Sequence, residues 1–266
     1  MVIRPYVLAH AAALFAVLAA HTCLAQNVTL RERPDLSEVF REQGVTGTFV
    51  LYEPAARAMT VVNKDRAATR FTPASTFKIA NSLIALETGV VKDETEVIPY
   101  GGKPQPIKQW EHDMGMREAM KLSAVPIYQE IARRIGRDRM RDWGERLDYG
   151  NTEIGDVIDR FWLDGPLAIS AIEQAQFLAR LTAGELPVSK RTTAIVKDIL
   201  VLERRGDAIL YGKTGLLPKI GWLAGWVERD GAIKTFALNI DINASADVAK
   251  RLPLVLELLR RLGAYG

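Results

Sequence analysis

The 266-residue sequence holds one cysteine, Cys23, and three histidines, His10, His21 and His112. All of these except His112 fall within residues 1–25, a stretch built like a signal peptide. Arg4 supplies its positive start, Ala11 to Ala20 is an unbroken apolar run, and Cys23-Leu24-Ala25 presents small residues for cleavage before Gln26. The run is short for a spanning helix, so no membrane segment is expected in the mature chain. Export to the periplasm or the medium follows from this pattern.

Cleavage there would remove the thiol and two of the three imidazoles. A cysteine nucleophile, a disulfide and a thiolate zinc site are then excluded, and no metal is expected. A Ser-His-Asp triad would have to use His112. No G-x-G-x-x-G or Walker-type loop occurs, so nucleotide binding has no support. The 35 basic and 32 acidic residues nearly balance, which argues against a nucleic-acid footprint. Hydrolytic chemistry, if present, would use a lysine or a carboxylate as its base.

Residues 26–266 are long enough for one domain with a sizeable core, and no linker, repeat or low-complexity stretch divides them. Gly47 to Tyr52 and Met59 to Val62 read as a hairpin. Thr72 and Pro73 fit the N-cap and first position of an apolar helix that runs to Leu86 and stops at Gly89. Further helices are expected over 116–122, from Pro126 to Ile135, over 138–147, from the capping box Ser170-x-x-Glu173 to Ala183, and over 189–203. The arginines between 133 and 141 alternate with Glu130, Asp138 and Asp142, as on a solvated helix face. Strands are expected over 208–213, 221–228 and 233–242, with Arg229-Asp230-Gly231 as a hairpin turn. A terminal amphipathic helix spans 247–262. Strands at both ends and helices between them predict an α+β fold: one antiparallel sheet from both termini, flanked by helices, with a helical subdomain.

The apolar helix opens with Ser75 and Lys78 three residues apart, hence on one face. A lysine desolvated at that point shifts toward the neutral amine, and a hydroxyl beside a neutral amine is an activated nucleophile. Alone, such a pair arises by chance about once in a chain of this length. Lys213-Thr214-Gly215 closes a predicted strand with a cation, a hydroxyl and a glycine that admits close backbone approach.

Order and spacing add specificity. Ser75-Thr76-Phe77-Lys78, Ser123-Ala124-Val125, Tyr149-Gly150-Asn151, Phe161-Trp162-Leu163 and Lys213-Thr214-Gly215 together resemble the motif set of class D (oxacillinase-type) serine β-lactamases. These belong to the penicillin-binding, transpeptidase-like superfamily. Pro73-Ala74, Asn81 to Leu86, Gly221-Trp222 and Gly225 to Glu228 agree as well, so the resemblance spans about Phe40 to Arg261.

The resemblance implies roles. Ser75 would be the acylated nucleophile, and Lys78, N-carboxylated by CO2, the general base; no other cofactor is implied. Trp162 would donate to that carboxylate. Ser123, biased by Lys213, would pass a proton to the leaving nitrogen. The backbone N–H groups of Ser75 and Leu216 would form the oxyanion hole. Thr214 and Arg251 would hold the substrate carboxylate. Val125 and Leu163 would cover Lys78, Trp110 would wall the cleft, and Tyr149 and Asn151 would be structural. The partners implied are β-lactams; monomer and homodimer both stay open. Two other readings share the motifs, a D,D-peptidase and a β-lactam sensor domain, both slow to deacylate, and an inactive relative is a third. The short link Leu216 to Ile220, with Leu223-Ala224 after Trp222, leaves substrate preference open.

Overall fold

The computed structural model describes residues 28–265, so the expected signal peptide lies outside the described residues. The chain enters through strand β1 (Thr29–Glu32) and helix α1 (Ser37–Glu42). The predicted hairpin follows as β2 (Gly47–Glu53) and β3 (Ala58–Val62), then α2 (Lys64–Ala68). A 3-10 turn over Ala74–Phe77 leads directly into α3 (Lys78–Glu87). The helical region continues with α4 (Met116–Leu122), α5 (Val125–Ile135), α6 (Arg137–Leu147), α7 (Ala171–Ala183) and α8 (Lys190–Ile199). Strands β4 (Val201–Arg205), β5 (Ala208–Leu217), β6 (Ile220–Arg229) and β7 (Ala232–Asp241) precede the terminal helix α9 (Asp247–Arg261).

The sheet has the order β1-β3-β2-β7-β6-β5-β4, so strands from the two ends of the chain meet where β2 pairs with β7. The α+β architecture is as expected. Strand periodicity explains its three layers: in β2, Phe49 and Leu51 face one core while Val50 faces the other. The first core packs the sheet against α1 and α9 through Phe40, Leu238, Val255 and Leu258. The second lies between the sheet and the helical region, where α3, carrying Ile79, Leu83 and Ile84, is buried along almost its whole length.

Several expectations need correction. β1 pairs parallel with β3, so the sheet is not wholly antiparallel. Its four exposed residues, Thr29 to Glu32, are too short and too polar to show an alternation. The helix expected over 189–203 ends at Ile199, and Val201 to Arg205 pair with β5 as an edge strand. The turn Gly206-Asp207, with Gly206 at φ +57°, folds that strand back. β5 runs on past Lys213 to Leu217, so Lys213-Thr214-Gly215 lies inside a strand, and only Pro218-Lys219 turns between the paired Leu217 and Ile220. Thr72 is not the N-cap of the central helix. Ala74 takes φ +52° at the start of the 3-10 turn, and the helix has no side-chain cap.

Other local readings hold. Ser170 and Glu173 form the capping box of α7. Asp230 and Gly231 both have positive φ, as a tight two-residue hairpin requires. Arg133 and Arg134 pair with Glu130, and Arg141 with Asp138, on solvated helix surfaces.

Candidate active site

The second core ends at a cleft between the start of α3, the α4–α5 junction and β5. β5 pairs with β4 only as far as Tyr211, and the Gly212 N–H is taken by the carbonyl of Leu200. From Lys213 onward, the outer edge of β5 has no strand partner among the described residues, and the 3-10 turn packs beside it. Gly215 permits this approach. A Cβ there would lie 2.9 Å from the Pro73 carbonyl oxygen and 3.3 Å from the Ala74 Cβ. On the other side, Trp222 of β6 donates its indole N–H to the Thr72 carbonyl at 3.0 Å.

Within this frame Lys78 Nζ donates to Ser75 Oγ at 2.7 Å. Lys78 is fully buried and has no carboxylate partner among the described residues, while Ser75 keeps 8% exposure toward the cleft. Burial first, and the nearby charge of Lys213 second, hold the Lys78 amine well below the usual lysine range. The amine sits over the Tyr128 ring, 5.2 Å from its centroid. Tyr128 in turn shares a 2.9 Å hydrogen bond with Ser82.

A second amine–hydroxyl pair closes the opposite wall. Lys213 Nζ donates to Ser123 Oγ at 2.9 Å and to the Thr214 carbonyl at 2.9 Å. Burial, then the charge of Arg251, pulls Lys213 down to about 7. Ser123 follows α4 as its C-cap in a left-handed conformation, φ +55°, with its hydroxyl on Lys213. Arg251, on α9, reaches the end of β5 and donates to the Gly215 carbonyl at 2.7 Å, one residue before Leu216. Leu216 itself is 44% exposed on the cleft rim. A cavity of about 520 Å³ opens beside Lys213 and Thr214, lined also by Met120, Lys121 and Leu202.

The structure thus brings Ser75, Lys78, Ser123, Lys213, Thr214 and Arg251 around one cleft. Trp162 is fully buried and stacks on Phe77, the neighbour of Lys78, with centroids 5.6 Å apart. Its indole nitrogen has no hydrogen-bond partner among the described residues. Val125 starts α5, two residues after Ser123, and Leu163 follows Trp162; both are partly exposed. Trp110 is anchored through Nε1 to the Leu122 carbonyl at 3.1 Å, at the end of α4. Asn151 is a clamp: its side chain donates to the Pro166 carbonyl at 2.8 Å and accepts from the Ala168 N–H at 2.9 Å. It thereby closes the base of the loop that carries Trp162. His112 is solvent-exposed, and its ring nitrogen pairs with Glu118. No cluster of metal-ligating side chains occurs among the described residues.

The sequence reading missed Gln174 and Thr76. Gln174, fully buried on α7, donates to the Thr76 hydroxyl at 2.6 Å, directly beneath the Ser75 turn. The only local signal was a glutamine on the apolar face of a predicted helix.

A serine and a lysine at the mouth of a buried helix, facing a lysine-bearing sheet edge, define the penicillin-binding type of serine acyltransferase. The profile of the penicillin binding protein transpeptidase domain matches residues 47–260. The chain is 40% identical over 260 residues to the β-lactamase OXA-5 of Pseudomonas aeruginosa, covering 95% of this chain and 97% of the relative. It is 44% identical over 226 residues to the β-lactamase OXA-48 of Klebsiella pneumoniae, covering 84% and 85%. The crystal structure of FUS-1 (OXA-85), a class D β-lactamase from Fusobacterium nucleatum subsp. polymorphum, superposes with a TM-score of 0.85 at 41% identity. That match covers 89% of this chain and all of the other. The chain belongs to the class D β-lactamases, which are hydrolases of the transpeptidase-like fold.

Proposed function

We propose that the chain, exported and freed of residues 1–25, hydrolyses the amide bond of β-lactams through an acyl-enzyme on Ser75. The observation that carries this reading is the 2.7 Å bond between Lys78 and Ser75 inside a water-poor pocket. Ser75 Oγ attacks the ring carbonyl carbon and gives its proton to the Lys78 side chain. The backbone N–H groups of Ser75 and Leu216, on either side of the cleft, receive the developing oxyanion. Ser123 supplies a proton to the departing ring nitrogen, with Lys213 behind it as the donor that restores the hydroxyl. Arg251 and Thr214 hold the substrate carboxylate, Arg251 as a two-pronged donor beside Gly215. Lys78 passes the proton it took from Ser75 on through Ser123 to Lys213 and is free again. A water molecule then attacks the acyl carbonyl carbon and gives a proton to Lys78, which returns it to Ser75 Oγ as the ester bond breaks.

The site fits N-carboxylation of Lys78. Only a neutral amine adds CO2, and burial shifts this one toward the neutral form. The unpartnered indole N–H of Trp162 is a donor that an anionic oxygen would satisfy. When present, the carboxyl group supplies an anionic base stronger in charge than the free amine. Trp162, held by Asn151 through its loop and by Phe77 through stacking, is the residue that would orient it.

Repeated turnover of a chromogenic β-lactam by the chain from Gln26 on, abolished in Ser75→Ala, is the expected result. A single stoichiometric burst with a stable acyl-enzyme would instead assign the chain to the slow-deacylating D,D-peptidases or sensors.

A further inference from the structure

Ala74, the residue before Ser75, is an L-residue held at φ +52°. The left-handed conformation is unfavourable for a non-glycine residue, so its surroundings must impose it. Trp222 holds the Thr72 carbonyl, and Gly215 packs against Pro73 and Ala74. A third restraint comes from α7, across the buried core. Gln174 Nε2 donates to Thr76 Oγ1 at 2.6 Å, and Thr76 Oγ1 donates to the Pro73 carbonyl at 2.8 Å. The Thr76 backbone N–H reaches the same carbonyl at 3.2 Å.

The direction of this chain is set by chemistry. The Pro73 carbonyl can only accept, which commits the single proton of Thr76. The Thr76 oxygen must then accept from Gln174, and this turns Gln174 Oε1 toward Tyr149, whose hydroxyl donates to it at 3.5 Å. Each donor thereby strengthens the next. The anchor is itself fixed: Phe71 and Ile169 exchange two backbone bonds at 3.0 and 2.9 Å, tying the segment before the turn to the segment before α7. Glu173 then caps α7 and pairs with Arg70. A buried amide is a poor choice for packing, because an apolar side chain would fill the same space without desolvation cost.

We propose that Gln174 is a positioning residue: through Thr76 it holds the strained Pro73-Ala74-Ser75 turn that aims the Ser75 hydroxyl and N–H. This rests on Ser75 being the nucleophile. Misplacement of a reacting group by about 1 Å costs on the order of 100-fold in rate. Gln174→Met, which keeps the volume and removes both hydrogen bonds, is therefore expected to lower kcat and kcat/KM together by roughly 10- to 100-fold, with KM little changed. Thr76→Val should do the same, and the double variant should be no worse than the poorer single one. Glycine adopts positive φ without strain, so Ala74→Gly introduced into Gln174→Met should recover roughly fivefold or more of the loss. Simple loss of packing would not be rescued there.

A folded Gln174→Met enzyme within about twofold of the parent, a loss confined to KM, or a loss that Ala74→Gly leaves untouched would each overturn the proposal. If Gln174→Met does not fold, Thr76→Val with and without Ala74→Gly decides by the same criteria. Activity remaining in Ser75→Ala would refute the nucleophile itself. Loss in Ser75→Ala with full activity in Gln174→Met would refute the role of Gln174 alone.

Discussion

Lys213 Nζ lies 2.9 Å from Ser123 Oγ, so the cleft contains two amine–hydroxyl pairs facing one another, the other being Lys78 with Ser75. The environments separate the two amines. Lys78 is sealed in an aromatic core that pushes it well below the usual lysine range, whereas Lys213 is brought to about 7 and has a carbonyl and a second hydroxyl beside it. One suits proton removal, the other proton delivery and attraction of a substrate anion.

For Lys213 the consequence is a pH limb. The free-enzyme kcat/KM should fall as pH rises through about 7, because the ammonium loses its charge there. Ser123→Ala should lower kcat by roughly 100- to 1000-fold while the limb stays in place. Lys213→Met should abolish the limb. A pH–rate profile of the three proteins distinguishes these outcomes.

Lys78 should reduce stability in return for function. A lysine whose folded-state value lies below its ordinary 10.5 binds fewer protons folded than unfolded between the two values. Stability therefore rises with pH across that window and is lowest beneath it. In CO2-depleted buffer near pH 7, Lys78→Met should melt at least about 2–4 °C higher than the parent, corresponding to ~1 kcal/mol, and turn over no substrate. The difference in melting temperature should shrink as pH approaches 10.5. A lower melting temperature for the variant at neutral pH would contradict the desolvation argument.

Trp162→Phe removes the unpartnered donor while keeping an aromatic against Phe77. The expected loss in kcat is about 100-fold or more, centred on deacylation, with partial recovery in added bicarbonate. Labelled CO2 bound to the parent and lost from the variant would be the direct measurement.

Arg251 has one donor group on Gly215 and lies at the mouth of the cleft. Arg251→Ala should raise KM for carboxylate-bearing β-lactams by roughly tenfold or more, since charge-assisted bonds contribute about 1.5–3 kcal/mol. Esterified substrates should lose much less. Steady-state kinetics on an acid and ester pair tests this.

Asn151→Ala deletes both side-chain bonds that close the base of the Trp162 loop. A loss of about 1–3 kcal/mol in unfolding free energy is expected, read by urea denaturation. Deacylation should suffer more than acylation, because the loop carries Trp162 and not Ser75.

Much of this site was readable along the chain. Ser75 and Lys78 meet because three residues make nearly one helical turn, and the α7 cap follows from Ser170 and Glu173 in the same way. Hairpin pairing of β6 and β7 was likewise local, set by Asp230-Gly231. Where the reading failed, distant partners decided. Val201 to Arg205 continue a helical pattern, yet the free edge of β5 captures them as β4. Thr72 has the chemistry of an N-cap, but its carbonyl is claimed by Trp222 and Ala74 is driven to positive φ.

The sequence by itself determined the chemical inventory: a serine and lysine on one face, no thiol or second histidine in residues 26–266, and a later lysine, hydroxyl and glycine in a row. Those are properties of residue type and short spacing, which covalent geometry transmits directly. The tertiary structure decided the downward pKa shift of both lysines, the Trp162 indole left without a partner among the described residues, and the clamp from Gln174 to the Ser75 turn. Desolvation and hydrogen-bond satisfaction depend on what surrounds an atom in three dimensions, and Gln174 reaches Thr76 across 98 residues of chain.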